Sequence, residues 1–235
     1  MNMLTGEKIA AANLKDWRKL AQGLHARFVV DHFGTAVRFV TAVGEAGDEL
    51  GHHPHVSIGP GYVDLKLISD DAIYRDDEGI EHVIEWVTQQ DIDLARRITE
   101  IAADHKIAAD PASVSMVELG LYTPHSATIA PVWAALLTGR AESQGHGSPS
   151  DEIRDLGGRV PNLWFGDTVE HNSSRQRLHI EIYIAPEVAE QRIAAALSAG
   201  GTVVDDRNAP SLTVIADQDG NMGTLCIDIS AVKQD

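Results

Sequence analysis

Cysteine is almost absent from this chain. One thiol in 235 residues excludes an internal disulfide. Its setting, the alternating stretch GTLCIDI, marks Cys226 as a small buried hydrophobe with no base beside it to make a nucleophile. Basic residues are scarce as well: 19 Lys and Arg against 35 Asp and Glu leave a net charge of -16. Both a nucleic-acid backbone and an anionic membrane surface repel such a chain. No apolar run approaches the roughly 18 residues that a membrane-spanning helix needs. The opening, MNMLTGEKIAAANLKDW, lacks a charged-then-apolar leader pattern, so a cytoplasmic setting is expected. There is no glycine-rich phosphate loop between a strand and a helix, and no nucleophile elbow. What is present, 43% hydrophobic and 23% charged residues, suffices for one large or two ordinary globular domains.

The chain reads as two halves with different rhythms. AADPAS, residues 108–113, interrupts a helical pattern with Pro111 and reads as a linker between domains spanning 1–108 and 113–235. In the first half, Phe33, Val37, Val40 and Val43 or Gly44 recur at helical spacing, as do Ile92, Ala95, Ile98 and Ile101, with Thr88 and Asp91 as an N-terminal cap. LHARFVV and the alternating YVDLKLIS predict strands. The first half is therefore expected to be an α+β domain with helices packed on an antiparallel sheet. In the second half, residues 117–140 repeat at 178–201 when shifted by 61 places, which lays Glu118 on His179, Tyr122 on Tyr183 and Gly139 on Gly200. Each copy predicts a strand, a proline turn, a helix with a glycine stop and further strands, and two such copies imply facing modules.

The chemistry concentrates in GHHPH, residues 51–55. Three readings are open for His52, His53 and His55: a metal site, an exposed polar loop, or an acid–base pocket. Adjacent histidines diverge and no cysteine lies near, which weakens the metal reading. Imidazole titrates near pH 6.5, so a pair can hold one proton donor and one acceptor at neutral pH. His25, His32 and His105 stand alone in the sequence and read as surface residues.

Asp48-x-x-x-His52-His53-Pro54, then Tyr62, an alternating strand and VTQQDIDLARRI together resemble the pterin-4a-carbinolamine dehydratase family over roughly residues 1–106. The resemblance implies a four-stranded antiparallel sheet with helices on one face. It also implies loss of water from 4a-hydroxytetrahydrobiopterin to give quinonoid dihydropterin, without a metal or redox cofactor. His52 and His53 match the family's histidine pair. Its third histidine has two candidate counterparts. An ungapped count reaches Asp70; counting back from Asp91 reaches His82, with 71–81 as an inserted hairpin turning at RDDEG. His82 is favoured because only it restores an imidazole. Asp91 and Tyr62 join Asp70 as candidate substrate contacts. Pairing of sheets between copies, as a dimer or tetramer, is a further implication.

VPNLWFGD, RLHIEIYI, ALSAGGTVV and IADQDGN resemble the glyoxalase-like branch of the vicinal oxygen chelate superfamily over about 113–231, implying paired βαβββ modules. That fold hosts many chemistries. Family metal positions fall on Glu118, His179, Thr224 and Leu163, of which only the first two can bind an ion. A divalent metal in this half is accordingly not expected. His146 and His171 lie in loops, 141–158 reads as a loop over the module junction, and SSRQR at 173–177 offers two arginines. Three functions follow as hypotheses: a pterin dehydratase fused to a small-molecule-binding domain, a metal-dependent lyase or oxygenase centred on the second half, and a ligand-binding protein without catalysis.

Overall fold

The computed structural model describes residues 1–124, 126–138, 152–154, 160–166, 178–218, 220 and 222–230. The first half runs α1 (Gly6–Ala11), β1 (Arg18–Leu20), β2 (Gly23–Val29), α2 (Phe33–Leu50), β3 (His55–Gly59), β4 (Tyr62–Leu67), β5 (Ser69–Arg75), β6 (Glu81–Trp86), α3 (Gln89–Asp104) and β7 (Ala108–Ala109). Its main sheet is antiparallel in the order β1-β2-β4-β3, with β7 also pairing with β2. Period-two alternation divides the sheet into two faces. Leu24, Ala26, Phe28, Val63, Leu65 and Leu67 are buried in the same core as the apolar residues of α2 and α3. His25, Arg27, Asp64 and Lys66 alternate with them and so occupy the opposite face. β5 and β6 form a separate hairpin turning at residues 76–80, where the inserted hairpin was expected.

Two expectations need correcting. The buried stripe of α2 is Ala36, Phe39, Val43 and Ala46; Phe33 and Val37 are 67% and 43% exposed. An i, i+3, i+4 pattern admits a neighbouring frame, and here the small alanines let the helix approach the sheet closely enough for Phe39 to meet Phe28 at 5.0 Å between rings. The stretch 108–113 is also more than a linker. β7 pairs with Phe28 and Val29 of β2, Asp110 N–H donates to the Arg27 carbonyl at 2.8 Å, and Pro111–Ser113 form a 3₁₀ turn.

The second half contains β8 (Ser115–Tyr122), α4 (Ser126–Thr138), β9 (Glu152–Ile153), β10 (Leu163–Gly166), β11 (Leu178–Ile184), α5 (Ala189–Ser198), β12 (Thr202–Asp205), β13 (Leu212–Ala216) and β14 (Met222–Ile227). They form one seven-stranded sheet, β12-β13-β14-β11-β8-β10-β9. β8 and β11 pair antiparallel at its centre, and each has a parallel outer neighbour, β10 and β14. That is the symmetry the 61-residue repeat predicts. α4 shares a second core with Ile153, Leu163 and Phe165. Cys226 is 4% exposed, and burial pushes its thiol up to about 12, as a packed hydrophobe requires. Among the described residues no helix is long and apolar enough to cross a membrane.

Candidate active site

α2 ends because Gly51 adopts the left-handed conformation (φ 65°) and returns its N–H to the Gly47 carbonyl. His52 and His53 follow at once, and Pro54 prevents the helix from resuming. His52 is aimed by α3. Its Nε2–H donates to Asp91 Oδ1 at 2.7 Å, with the His52 side chain 12% exposed and Asp91 fully buried. The other carboxylate oxygen, Oδ2, accepts from Thr88 N–H at 2.7 Å and from the Ser69 hydroxyl at 2.8 Å. Asp91 is thus both the reach-back residue of the α3 cap and the anchor of His52. Its side chain is fully buried and both oxygens accept hydrogen bonds within the protein, so it does not lie open to the cleft as a substrate contact would. The hydrogen bond to Asp91 raises the His52 pKa, against the opposing effect of burial, and the charges of Asp71 and Asp70 add to the rise.

His53 is more open, 55% exposed, and bonds Asp48 of α2 through Nε2 at 2.9 Å. Its ring lies against the helix backbone at Gly47, where a β-carbon would come within 2.7 Å of His53 Cδ2. The two histidines open onto a cleft of about 690 Å³, whose lining also includes Asp70. His82 does not line it. Its Nε2 bonds Asp76 Oδ2 at 2.9 Å and its ring lies 6.0 Å from Tyr74, because the hairpin pairs His82 with Tyr74 and turns its imidazole toward the 76–80 turn. The structure thus brings Asp70, and not the favoured His82, to the cleft of His52 and His53. Tyr62 stands at the opposite end of β4, under the Arg27 guanidinium at 4.2 Å, and is likewise absent from the cleft lining.

A row of side chains that sequence reasoning passed over extends the cleft. His25, Lys66 and His55 are direct cross-strand partners on β2, β4 and β3, and all three line it. His25, taken as a surface residue, has a buried Nε2 with no hydrogen-bond partner among the described residues. Burial, then the charges of Lys66, Lys19 and His55, lowers its pKa to about 3, so it is neutral. His55 is lowered and Lys66 is lowered, in both cases chiefly by burial. The alternation of LHARFVV places His25 opposite the core; nothing local reveals that the second half covers it. His32 and His105 serve as helix-end residues of α2 and α3.

The second half closes the cleft with Met116, Val117, Arg154, Val160, Pro161 and Asn162. Arg154 bridges Glu85 of the first half at 3.4 Å and Glu152 at 2.6 Å. Glu118 is 3% exposed and accepts from Asn162 Nδ2 at 3.2 Å. Burial raises its pKa, while hydrogen bonds from Gln22 and Asn162 lower it. Of the two candidate metal ligands, Glu118 is thus committed at the domain junction, and His179 packs against Tyr122 at 4.7 Å between rings. Leu163 is buried beside α4. Among the described residues, no three His, Cys, Asp or Glu converge on one point. His146, His171, the arginines at 173–177 and most of the 141–158 loop lie outside the described residues.

Residues 2–101 match the Pterin 4 alpha carbinolamine dehydratase family model, and residues 118–226 match a Glyoxalase-like domain model. A relative from Nocardia farcinica is 31% identical over 43% of this chain and 95% of its own length. One from Thermosynechococcus vestitus is 30% identical over 39% and 83%. Both carry the name "Putative pterin-4-alpha-carbinolamine dehydratase". A crystal structure of a transcriptional coactivator/pterin dehydratase from Brucella melitensis shares 27% identity, covering 43% of this chain and 99% of that one, with a TM-score of 0.35. The chain belongs to the pterin-4a-carbinolamine dehydratase family and carries a glyoxalase-like domain after it.

Proposed function

We propose that the protein dehydrates 4a-hydroxytetrahydrobiopterin-type pterins to quinonoid dihydropterins by histidine acid–base catalysis, with no metal or redox cofactor. The observation that carries this reading is the His52–Asp91 hydrogen bond at the cleft. With Nε2–H committed to Asp91, the Nδ1 of His52 is the atom left to donate a proton, and the hydrogen bond to Asp91, which raises the His52 pKa, favours the charged form that donates it. His52 protonates the C4a hydroxyl, and the C4a–O bond breaks with its electron pair leaving on water. His53, its Nε2–H on Asp48, accepts the ring N–H proton at Nδ1, and the electrons of that N–H bond form the new C=N bond. Asp70 supplies a third polar group in the cleft. A positioned proton-transfer group contributes roughly 10²- to 10⁴-fold. Association into a dimer or tetramer in the cytoplasm goes with the same reading.

The test is the decay of a 4a-hydroxytetrahydropterin, followed by absorbance with and without the protein. Acceleration by the wild-type chain is expected, and His53→Ala is expected to lower kcat/KM at least tenfold, in keeping with about 10²-fold or more for a proton-transfer group. Unchanged turnover in that variant removes His53 from the mechanism.

A further inference from the structure

A second cavity, of about 450 Å³, lies where the two halves meet and shares no lining residue with the histidine cleft. Ile9, Leu14, Trp17 and Leu24 of the first half give it an apolar wall, and the second half adds Pro186 and Asp228. The wall is firmly held. Ile9, Trp17 and Leu24 belong to the first core, and Trp17 Nε1–H donates to Thr99 Oγ1 at 3.3 Å. Arg18 spans the junction beside the cavity. Its Nε donates to both carboxylate oxygens of Glu187, at 3.0 and 3.1 Å, and its Nη1 to the carbonyls of Lys15 and Trp17. Cavities of roughly 300–1,000 Å³ at domain junctions, mostly apolar with a few placed polar groups, are favoured sites for small ligands.

Two charges lining this cavity are incompletely partnered. The Lys19 ammonium donates to the Ala21 carbonyl and lies over the Trp86 ring at 4.3 Å, but among the described residues it has no carboxylate in contact. Two of its three N–H donors remain to be used. Burial lowers its pKa, and the charges of Asp228 and then Glu118 oppose that fall. Asp228 accepts the Ser230 N–H at Oδ1, 2.8 Å away, and its Oδ2 has no partner among the described residues. Lys19 and Asp228 thus act on each other across the cavity without forming an ion pair. A charge withdrawn from water is costly until a partner is supplied.

We infer that the junction cavity binds a small zwitterion with an apolar tail, an aliphatic α-amino acid by chemical class, with its carboxylate on Lys19, its ammonium on Asp228 and its side chain against Trp17 and Leu14. Simpler ligands fit less well. A plain carboxylate meets the charge of Asp228, a plain amine meets that of Lys19, and a neutral hydrocarbon strips water from both without replacing it. Arg18 and Glu187 satisfy each other, so they leave this choice unchanged. Lys15, the remaining charged residue of the lining, is exposed. A ligand held between β1 and residue 228 also fastens one half of the chain to the other.

Isothermal titration calorimetry on the full-length chain compares L-leucine with 4-methylpentanoate and 3-methylbutylamine, which lack its ammonium and its carboxylate. L-leucine is expected to bind one to one and each analogue at least tenfold more weakly. The melting temperature is expected to rise with L-leucine concentration, since a ligand of the folded state stabilises it by mass action. Lys19→Met and Asp228→Asn are each expected to weaken L-leucine binding at least tenfold, and either serves if the other does not fold. His53→Ala, in the separate cleft, is expected to leave binding unchanged. No saturable binding of L-leucine at millimolar concentration, equal binding of the three probes, affinity retained in the cavity variants, or affinity lost with His53→Ala overturns the inference.

Discussion

A histidine proposed to donate a proton is helped by whatever favours its charged form, and at His52 the hydrogen bond to the buried Asp91 carboxylate raises the pKa. The effect on stability has a definite sign. A folded-state pKa raised above the unfolded value of about 6.5 gives stabilisation that is complete below pH 6.5 and fades as pH rises through the folded value. Asp91→Asn is therefore expected to lower the melting temperature most below pH 6.5, on top of a pH-independent loss from the Ser69 and Thr88 bonds. The alkaline limb of the kcat/KM profile is expected to move toward lower pH by the same substitution. A profile that keeps its shape would mean that Asp91 only caps α3. Asp91 was legible in the sequence as a cap because Thr88 precedes it by three residues. Its second duty was not, since that depends on His52, 39 positions earlier.

Helix α2 and the turn after it place His53, and the critical residue there has no side chain. Gly47 sits inside the helix, where glycine costs about 1 kcal/mol relative to alanine. A β-carbon at that site would press on His53 Cδ2 at 2.7 Å and on the His52 carbonyl at 2.9 Å. Gly47→Ala is expected to leave helicity by circular dichroism intact and to lower kcat/KM by about tenfold or more, since a displacement of about 1 Å can cost 10²-fold. Full activity would show that the imidazole has room to shift without penalty. The elements themselves were readable: alternation in YVDLKLIS and spacing in ITEIAADH reproduce β4 and α3. The face of α2 was misjudged because apolarity favoured Phe33 and Val37, whereas close packing favoured Ala36 and Ala46. The same weighting of residue type over geometry favoured His82, which the register of the β5–β6 hairpin carries to Asp76.

At the scale of the whole molecule, each half has its own apolar core, and many of the contacts between them are polar. Arg18 pairs with Glu187, Arg154 with Glu85, and Glu118 lies among Gln22, Asn162 and the charges of Lys19 and Lys66. A carboxyl whose folded pKa is raised costs stability wherever it is ionised. Glu118→Gln is accordingly expected to raise the melting temperature at pH 8 by about 2–4 °C, the response to roughly 1 kcal/mol in a chain of this size. The difference should vanish below about pH 4, where the carboxyl is protonated in the unfolded chain as well. A fall of several degrees at pH 8 would mean that attraction to Lys19 and Lys66 outweighs desolvation. None of this junction was legible in the sequence, where Glu118 read as a module's metal position through its alignment with His179.

The short connection at β7 and the Pro111–Ser113 turn has a consequence for how strong that junction must be. Two separate proteins meeting through a few ion pairs would lose translational and rotational freedom worth several kcal/mol, roughly 4–15 by current accounts. Because only a few residues join the halves and β7 is stitched into the first sheet, each half sees the other at an effective concentration in the millimolar range or above. Contacts too weak to recruit a free partner suffice to hold a tethered one, so a wetter, more charged junction can remain closed over the cleft.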